Sequence, residues 1–581
     1  MATPQTPRAR RSPLARYAPL IAVVVVVAIV AVVIGVVNGN KKSKSPAAIT
    51  TNTNATGQQT FADVPVFYNE AKDKGTLTKY TWQPHCDTAT GQVAIPILSP
   101  PPCVPAPTTP NGGSTSPGVT ATTIKIGYFS AQPDPTFDTL LKLAGAYDTP
   151  QASAQAYQDY LQIYQHVYEL YGRKVQLVKI QGTGVSTDQV AAKVDADRAA
   201  AAGVFAVMGG PTQAQSFEAE LARKHILCVG TCVLSSPAST LASQAPYVWG
   251  VGPTPEQTAR MTTELIKAQL LGKPAVYAGP GLSSQPRKFA LLSYDTPDGE
   301  YRASWDQFYS DLQGIGAPVA GHISYFLNLA SLATDARTVA SRLKATGATT
   351  IVFTGDPIFP NYLTHAMTAQ GYFPEWVMAG TVLADTNVFA RTFDQQQWKH
   401  AFGLQLIPAR VAKTSQDSYT LHQWYFGTPP PTKNNYAIIK GDVELLMDAL
   451  QLAGPNLTPE TFRDGLWHAP AQASGPTIKV ISTYGHHGYW PGTDYGSLDN
   501  AGILYWDPNA VGEDETGKVG KGMYRLVNGG IRYLPGEWPT TPIKLFDPTG
   551  TVTIYAAGQI PADLMPKTEP VPAGAPAATK T

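Results

Sequence analysis

The sequence predicts an α/β protein of two doubly wound lobes with a hinge and an interlobe cleft, preceded by one transmembrane helix. Three observations lead there. From residue 122 onward, short β-branched runs alternate with helical stretches, the pattern of mainly parallel sheets covered by helices. That alternation runs through twice in succession. An apolar run over residues 18–37 stands apart near the amino end, with Arg8, Arg10, Arg11 and Arg16 before it and Lys41, Lys42 and Lys44 after it.

The apolar run matches the roughly 20 residues that cross a bilayer as a helix. It is too long for an ordinary signal-peptide core, and no small-x-small site closes it. Residues 18–38 therefore read as an uncleaved signal anchor, with cleavage at its carboxyl end as the rival reading. The four arginines hold residues 1–17 in the cytoplasm, so the expectation is a single-pass cell-membrane protein with its bulk outside. Residues 39–60 are polar and read as a flexible spacer. Residues 61–104 form a small juxtamembrane element, and 105–120 a Pro/Thr/Gly/Ser linker. The tail, 546–581, is expected to be largely disordered, because 561–581 is rich in Pro and Ala and holds few large apolar groups to offset chain entropy.

The first lobe begins in residues 121–250. Thr123-Ile-Lys-Ile-Gly-Tyr-Phe, Lys174-Val-Gln-Leu-Val-Lys-Ile, Val204-Phe-Ala-Val-Met-Gly and His225-Ile-Leu-Cys-Val-Gly read as strands, with helices over 151–171, 187–202 and 213–224. The second lobe, 251–405, starts with a helix over 255–271. Strands around 287–294, 322–326, 350–355 and 376–380 follow, with helices near 301–314, 333–346 and 361–370. Residues 406–480 are expected to return to lobe I, with helices over 415–425 and 441–452. Residues 481–545 are expected to return to lobe II, with a β-hairpin at 522–536.

Bulk properties exclude several functions. With 43 Lys+Arg against 42 Asp+Glu, the net charge of +1 provides no electrostatic footprint for nucleic acid. Four cysteines suit an oxidising compartment and local pairing, Cys86 with Cys103 and Cys228 with Cys232. The spacing of the second pair is neither a redox nor a zinc motif. There is no Gly-x-Ser-x-Gly elbow and no His-Glu-x-x-His helix. Gly512-Glu-Asp-Glu-Thr-Gly-Lys-Val519 approaches a phosphate loop, but Val519 replaces the magnesium-binding hydroxyl and Glu513, Asp514 and Glu515 would repel phosphate. It reads as a surface loop. His486, His487, Tyr489, Trp490, Asp494 and Asp499 form the one cluster with metal-ligand chemistry, in a spacing that matches no standard site. No cofactor is implied.

The order of these segments resembles the type I periplasmic binding-protein family, specifically receptors of branched-chain amino acid type ABC transport systems. The resemblance spans about 122–539. It rests on the opening Ile-Lys-Ile-Gly strand, Tyr171-Gly-Arg-Lys-Val-Gln-Leu, and the strand followed by Gly209-Gly-Pro-Thr. Ser293-Tyr-Asp-Thr-Pro-Asp-Gly, Ala453-Gly-Pro-Asn-Leu-Thr-Pro-Glu-Thr-Phe and Ile531-Arg-Tyr-Leu-Pro-Gly-Glu-Trp-Pro complete it. The resemblance implies three crossings between lobes, the first at Gly250-Val-Gly-Pro-Thr254, and hinge closure on a small solute. It implies no enzyme activity, and an ABC-type permease as partner. Ligand sensing or cell-surface interaction with the same fold and no transport is the alternative, since folds do not fix function.

Candidate ligand-binding residues follow from strand ends. Gly210, Pro211, Thr212 and Gln213 join a strand to a helix, where backbone amides and a hydroxyl suit a carboxylate. The resemblance assigns that role to Thr212, which equally fits a helix cap. Gly230 and Thr231 end the next strand, and Ser130 and Gln132 follow the first. On the opposite lobe Tyr294, Asp295 and Asp298, then Gly355 and Asp356, then Gly380 and Thr381, each follow a strand and are expected to face the cleft. Asp356 is the candidate partner for a cationic group, against the plainer reading that it caps a helix or fixes a turn. Receptors of the resembling family hold an ammonium with a carboxylate where this chain has Thr381. Either Asp356 takes over that role or the ligand is not an α-amino acid.

Overall fold

The computed structural model describes residues 61, 63–133, 147–185, 188–211, 214–232, 235–296, 299–328, 331–380, 383–406, 410–471 and 480–579. The apolar run 18–37 lies outside them. Among the described residues no helix is long and apolar enough to cross a membrane.

The described chain enters as a small module, helix α1 (Tyr68–Asp73) and a ribbon of β1 (Cys86–Asp87) and β2 (Gln92–Val93). Cys86 is bonded to Cys103. This module is docked on lobe I: Val93, Ile95 and Ile97 enter that lobe's core, and Gln83 links Val104 to Gln451. The expected linker is also seated there, where Arg173 donates to the carbonyls of Thr120 and Pro455.

Lobe I proper runs β3 (Thr123–Ser130), α2 (Pro150–Val167), β4 (Lys174–Gln181), α3 (Gln189–Ala201), β5 (Ala206–Met208), α4 (Ser216–Arg223), β6 (Leu227–Val229), α5 (Ala238–Gln244) and β7 (Val248–Trp249). Its five strands form one parallel sheet in the order β4-β3-β5-β6-β7. Apolar cores lie on both faces, which is why the central strands read as continuous apolar runs.

Lobe II opens with α6 (Pro255–Leu265), where Thr254 and Gln257 form a reciprocal cap and Pro255 takes the first helical position, which needs no donor. The helix expected to continue to 271 changes to a π turn over Ile266–Leu270. Then come β8 (Phe289–Tyr294), α7 (Arg302–Gly314), β9 (Val319–Tyr325), α8 (Leu332–Thr346), β10 (Thr350–Thr354), α9 (Phe359–Ala369), β11 (Glu375–Met378), α10 (Asn387–Ala390), α11 (Gln395–Trp398) and β12 (Ala401–Gln405). Strand β13 (Arg410–Val411) lies on the way back, and α12 (Asp417–Phe426), α13 (Tyr436–Leu452) and α14 (Pro459–His468) pack into the lobe I core. Strands β14 (Gly502–Glu513) and β15 (Val519–Leu526) then extend the lobe II sheet antiparallel, followed by β16 (Thr551–Val552) at its edge and β17 (Ile554–Tyr555) beside β13. The lobe II order is β16-β15-β14-β12-β11-β10-β8-β9.

Two expectations are corrected. The hairpin is β14 with β15, not residues 522–536, and the phosphate-loop look-alike is its turn. There Asp514 accepts from the amides of Thr516 and Lys518 and pairs with Arg391 at 2.9 Å, so its acidic character serves the turn. The tail is ordered through most of its length. Tyr555 and Leu564 pack on Leu526, Lys567 pairs with Asp87, the Trp424 indole donates to the Glu569 carbonyl at 2.9 Å, and Ala575 is fully buried in the lobe I core. Composition undercounts this order, because strand pairing and single backbone bonds hold a Pro- and Ala-rich chain with few apolar side chains.

Candidate ligand site between the lobes

Where the strand order of a parallel sheet reverses, neighbouring loops leave in opposite directions and open a crevice at the carboxyl ends of the strands. Lobe I reverses between β3 and β5, and lobe II between β8 and β10. Ser130, Gly209 and Gly210 therefore stand at one switch point, and Tyr294, Asp295, Gly355 and Asp356 at the other. Thr212, Gln213, Asp298 and Thr381 lie outside the described residues.

On the lobe I wall, Ser130 is half-buried and its carbonyl accepts from the Gly182 amide at 2.8 Å, while Gln132 is exposed. Gly209 has φ +69°, and a Cβ there would stand 3.3 Å from the Tyr157 hydroxyl. At Gly210 it would meet the Phe217 ring at 3.0 Å. Pro211 is buried beside it. Gly230, with φ +73°, turns onto Asp442: a Cβ would fall 2.2 Å from the carboxylate, so only glycine allows the approach.

Asp442 is absent from the sequence-derived candidates, yet it organises this wall. It accepts from the Thr231 amide at 2.7 Å, the Thr231 hydroxyl at 2.8 Å and the Tyr157 hydroxyl at 3.0 Å. Burial pushes its carboxyl up to about 6, against the pull of those three donors. When Asp442 is ionised, both hydroxyl protons are committed to it. Thr231 and Tyr157 then have lone pairs to offer the cleft.

On the lobe II wall, Tyr294 is half-buried, with the Tyr301 and Tyr325 rings each 6.0 Å from its own. The Asp295 carboxylate accepts from the amides of Thr296 at 2.9 Å and Tyr301 at 3.1 Å, which fixes the turn into α7. Asp356 accepts from the Tyr325 hydroxyl at 2.6 Å and from the amides of Ile358 and Phe359 at 2.7 and 2.9 Å. Burial raises its pKa, and with three donors it is engaged in starting α9. A Cβ on Gly355 would collide with the Tyr325 hydroxyl, and one on Gly380 with Thr258. Trp305 and Tyr325 are buried beneath this wall, and Tyr309 is half-buried against His322.

The two walls meet at a seam. The Tyr301 hydroxyl of lobe II donates to the Ser235 carbonyl of lobe I at 2.8 Å. Glu256, at the start of α6, accepts from Ser304 at 2.6 Å and from the Ala238 amide at 3.1 Å. Between them lies a cavity of about 30 Å³, bordered by Pro211, Cys232, Ser236 and Tyr301 with the buried Glu218. The Cys228–Cys232 disulfide stiffens the loop that supplies this border.

The first crossing, at residues 250–254, is laced to the third, the chain over 480–501 between α14 and β14. The Tyr484 hydroxyl donates to the Gly250 carbonyl at 2.6 Å, and Gln257 donates to Asp494 at 2.7 Å. Asp499 accepts from Thr483 at 2.8 Å and Trp490 at 2.9 Å. Burial and the neighbouring Asp499 raise the Asp494 pKa strongly. The aspartates of the cluster considered for metal binding thus serve the hinge. Among the described residues no group of three or more His, Cys, Asp or Glu side chains is placed to hold a metal.

A family model described as periplasmic binding protein matches residues 139–489. Among solved structures, an ABC transporter substrate binding protein from Aeropyrum pernix is similar at 15% identity and TM-score 0.47, covering 71% of this chain and 96% of its own. A leucine-, isoleucine-, valine-, threonine- and alanine-binding protein from Brucella ovis is similar at 11% identity and TM-score 0.48, covering 71% and 96%. A solute binding protein from R. palustris in complex with 4-hydroxybenzoate is similar at 13% identity and TM-score 0.44, covering 72% and 98%. No curated protein sequence matches the chain.

Proposed function

The chain belongs to the periplasmic binding protein family, and from that premise we propose that it is an extracytoplasmic receptor capturing a small polar solute between its lobes for an ABC-type importer. The observation that carries this reading is the opposition of two topological switch points. Loops from the carboxyl ends of β5, β6 and β8 border one seam cavity through Pro211, Cys232 and Tyr301. The site offers backbone groups, tyrosine rings and hydroxyls turned onto buried carboxylates, Thr231 onto Asp442 and Ser236 onto Glu218. Reversible binding is the chemistry those groups support. The ligand class spans amino acids, amides and carboxylate-like solutes. The signal anchor predicted over 18–38 would tether the receptor to the cell membrane with its lobes outside.

Ligand binding to the native state raises the melting temperature. Thermal unfolding of the full chain against amino acids, amides, aromatic acids, aliphatic acids and sugars therefore tests the reading. A saturable rise with one class supports it. No rise with any class counts against a solute receptor.

A further inference from the structure

We infer that the seam cavity is a binding pocket for a primary ammonium group, with Glu218 of α4 as its counter-charge and Tyr301 of lobe II as its closing wall. This rests on the receptor reading and deepens it. Three carboxylates of the switch-point walls are committed to local donors: Asp295 to two amides, Asp356 to two amides and a hydroxyl, Asp442 to one amide and two hydroxyls. Glu218 differs. It is 3% exposed, and Ser236, at 3.0 Å from one of its oxygens, is its side-chain donor among the described residues.

The polarity of the cavity matches a cation. None of the described lining residues is basic. Of the donors at its wall, the Tyr301 hydroxyl gives its proton to the Ser235 carbonyl, the Ser236 hydroxyl gives its proton to Glu218, and the Gln215 side chain is hydrogen-bonded to Tyr301. Among the described lining groups, the Glu218 carboxylate and the hydroxyl oxygens of Ser236 and Tyr301 offer lone pairs to a cation. Its volume of about 30 Å³ has room for a water-sized group, which suits an NH₃⁺ head. Burial pushes the Glu218 carboxyl up to about 7, so the isolated site is uncomfortable with its own charge and gains from a compensating one. Because one border belongs to each lobe, an ammonium group seated there touches both and favours closure.

The test uses the full chain at pH 8, with ammonium chloride as probe and tetramethylammonium chloride at equal ionic strength as control. Ammonium should raise the melting temperature saturably and the control should not. Glu218→Gln should weaken the apparent ammonium affinity at least tenfold. Tyr301→Phe, which keeps the Glu218 carboxylate and gives up the bond to the Ser235 carbonyl, should weaken it about threefold and serves if the first variant does not fold. Equal responses to the two salts, or an unchanged affinity in either variant, overturn the pocket. A panel solute that binds while ammonium does nothing retains the receptor and sinks the pocket. An ammonium-specific response with no solute binding retains the pocket and withdraws the receptor.

Discussion

Thr231 and Asp442 are bonded twice, amide to one carboxylate oxygen at 2.7 Å and hydroxyl to the other at 2.8 Å. The first residue ends a strand-loop of lobe I and the second lies on a helix that returns to the lobe much later in the chain. Their pairing welds the cleft wall to α13. Asp442→Ala should therefore cost about 3 kcal/mol, because it strands a buried amide and two hydroxyls. Urea unfolding measures this. A cost below about 1 kcal/mol would mean that water replaces the carboxylate and that the wall is not held by it.

Arg287 and Glu375 form a buried bidentate pair beneath lobe II at 2.8 and 2.9 Å, reinforced by Thr350 at 2.7 Å. Glu375→Gln should destabilise the protein by about 3–5 kcal/mol, since it leaves a buried guanidinium uncompensated. The double variant Arg287→Met with Glu375→Leu should cost less than the sum of the two single changes. A double-mutant cycle reads the difference.

Glu218 makes stability depend on pH in a defined direction. Its pKa is raised from 4.5 to about 7 in the folded state, so the native state holds the proton more tightly than the unfolded chain. The stabilisation this gives is present below pH 4.5 and lost as pH rises through about 7. At about 1.4 kcal/mol per pKa unit the loss is of the order of 3 kcal/mol. Glu218→Gln stays neutral throughout, so its melting temperature should exceed the wild type's at pH 8 and approach it at pH 5. Parallel curves would show that Glu218 titrates normally.

The two disulfides should contribute unequally. Loop-closure entropy predicts about 3 kcal/mol for Cys86–Cys103, with a separation of 17, and about 2 kcal/mol for Cys228–Cys232, with a separation of 4. Paired serine replacements, compared by thermal unfolding under oxidising conditions, check the ranking. For the second pair the larger effect should fall on solute affinity, because Cys232 borders the seam.

Much of the lobe architecture was legible because each βα unit carries its own local signature: β-branched runs such as Thr350-Ile-Val-Phe-Thr, and capped starts such as Thr254-Pro255. Strand-end placement also put Ser130, Gly210, Tyr294 and Asp356 at the switch points, since parallel topology directs every such end the same way. The site's inner layer was harder to see. Glu218 interrupts the buried stripe of Ala214, Phe217, Leu221 and Ala222, and Asp442 adjoins Val443 and Leu446 on the buried face of α13. A carboxylate at a core position of a helix was the available signal. What it meets there depends on contacts across hundreds of residues, which local pattern does not encode. The tail's order had the same cause, since its partners Asp87 and Trp424 are remote in sequence.

Both ends of the described chain fasten to the same body. Phe61 sets its ring 5.1 Å from His468 of α14, and Ala575 is embedded in the core that α2 shares with α12. A pull or a tether applied at either terminus therefore reaches lobe I first. Lobe II is joined to that body by the crossings and by a strap that runs from Tyr555, packed on Leu526, to Lys567, paired with Asp87.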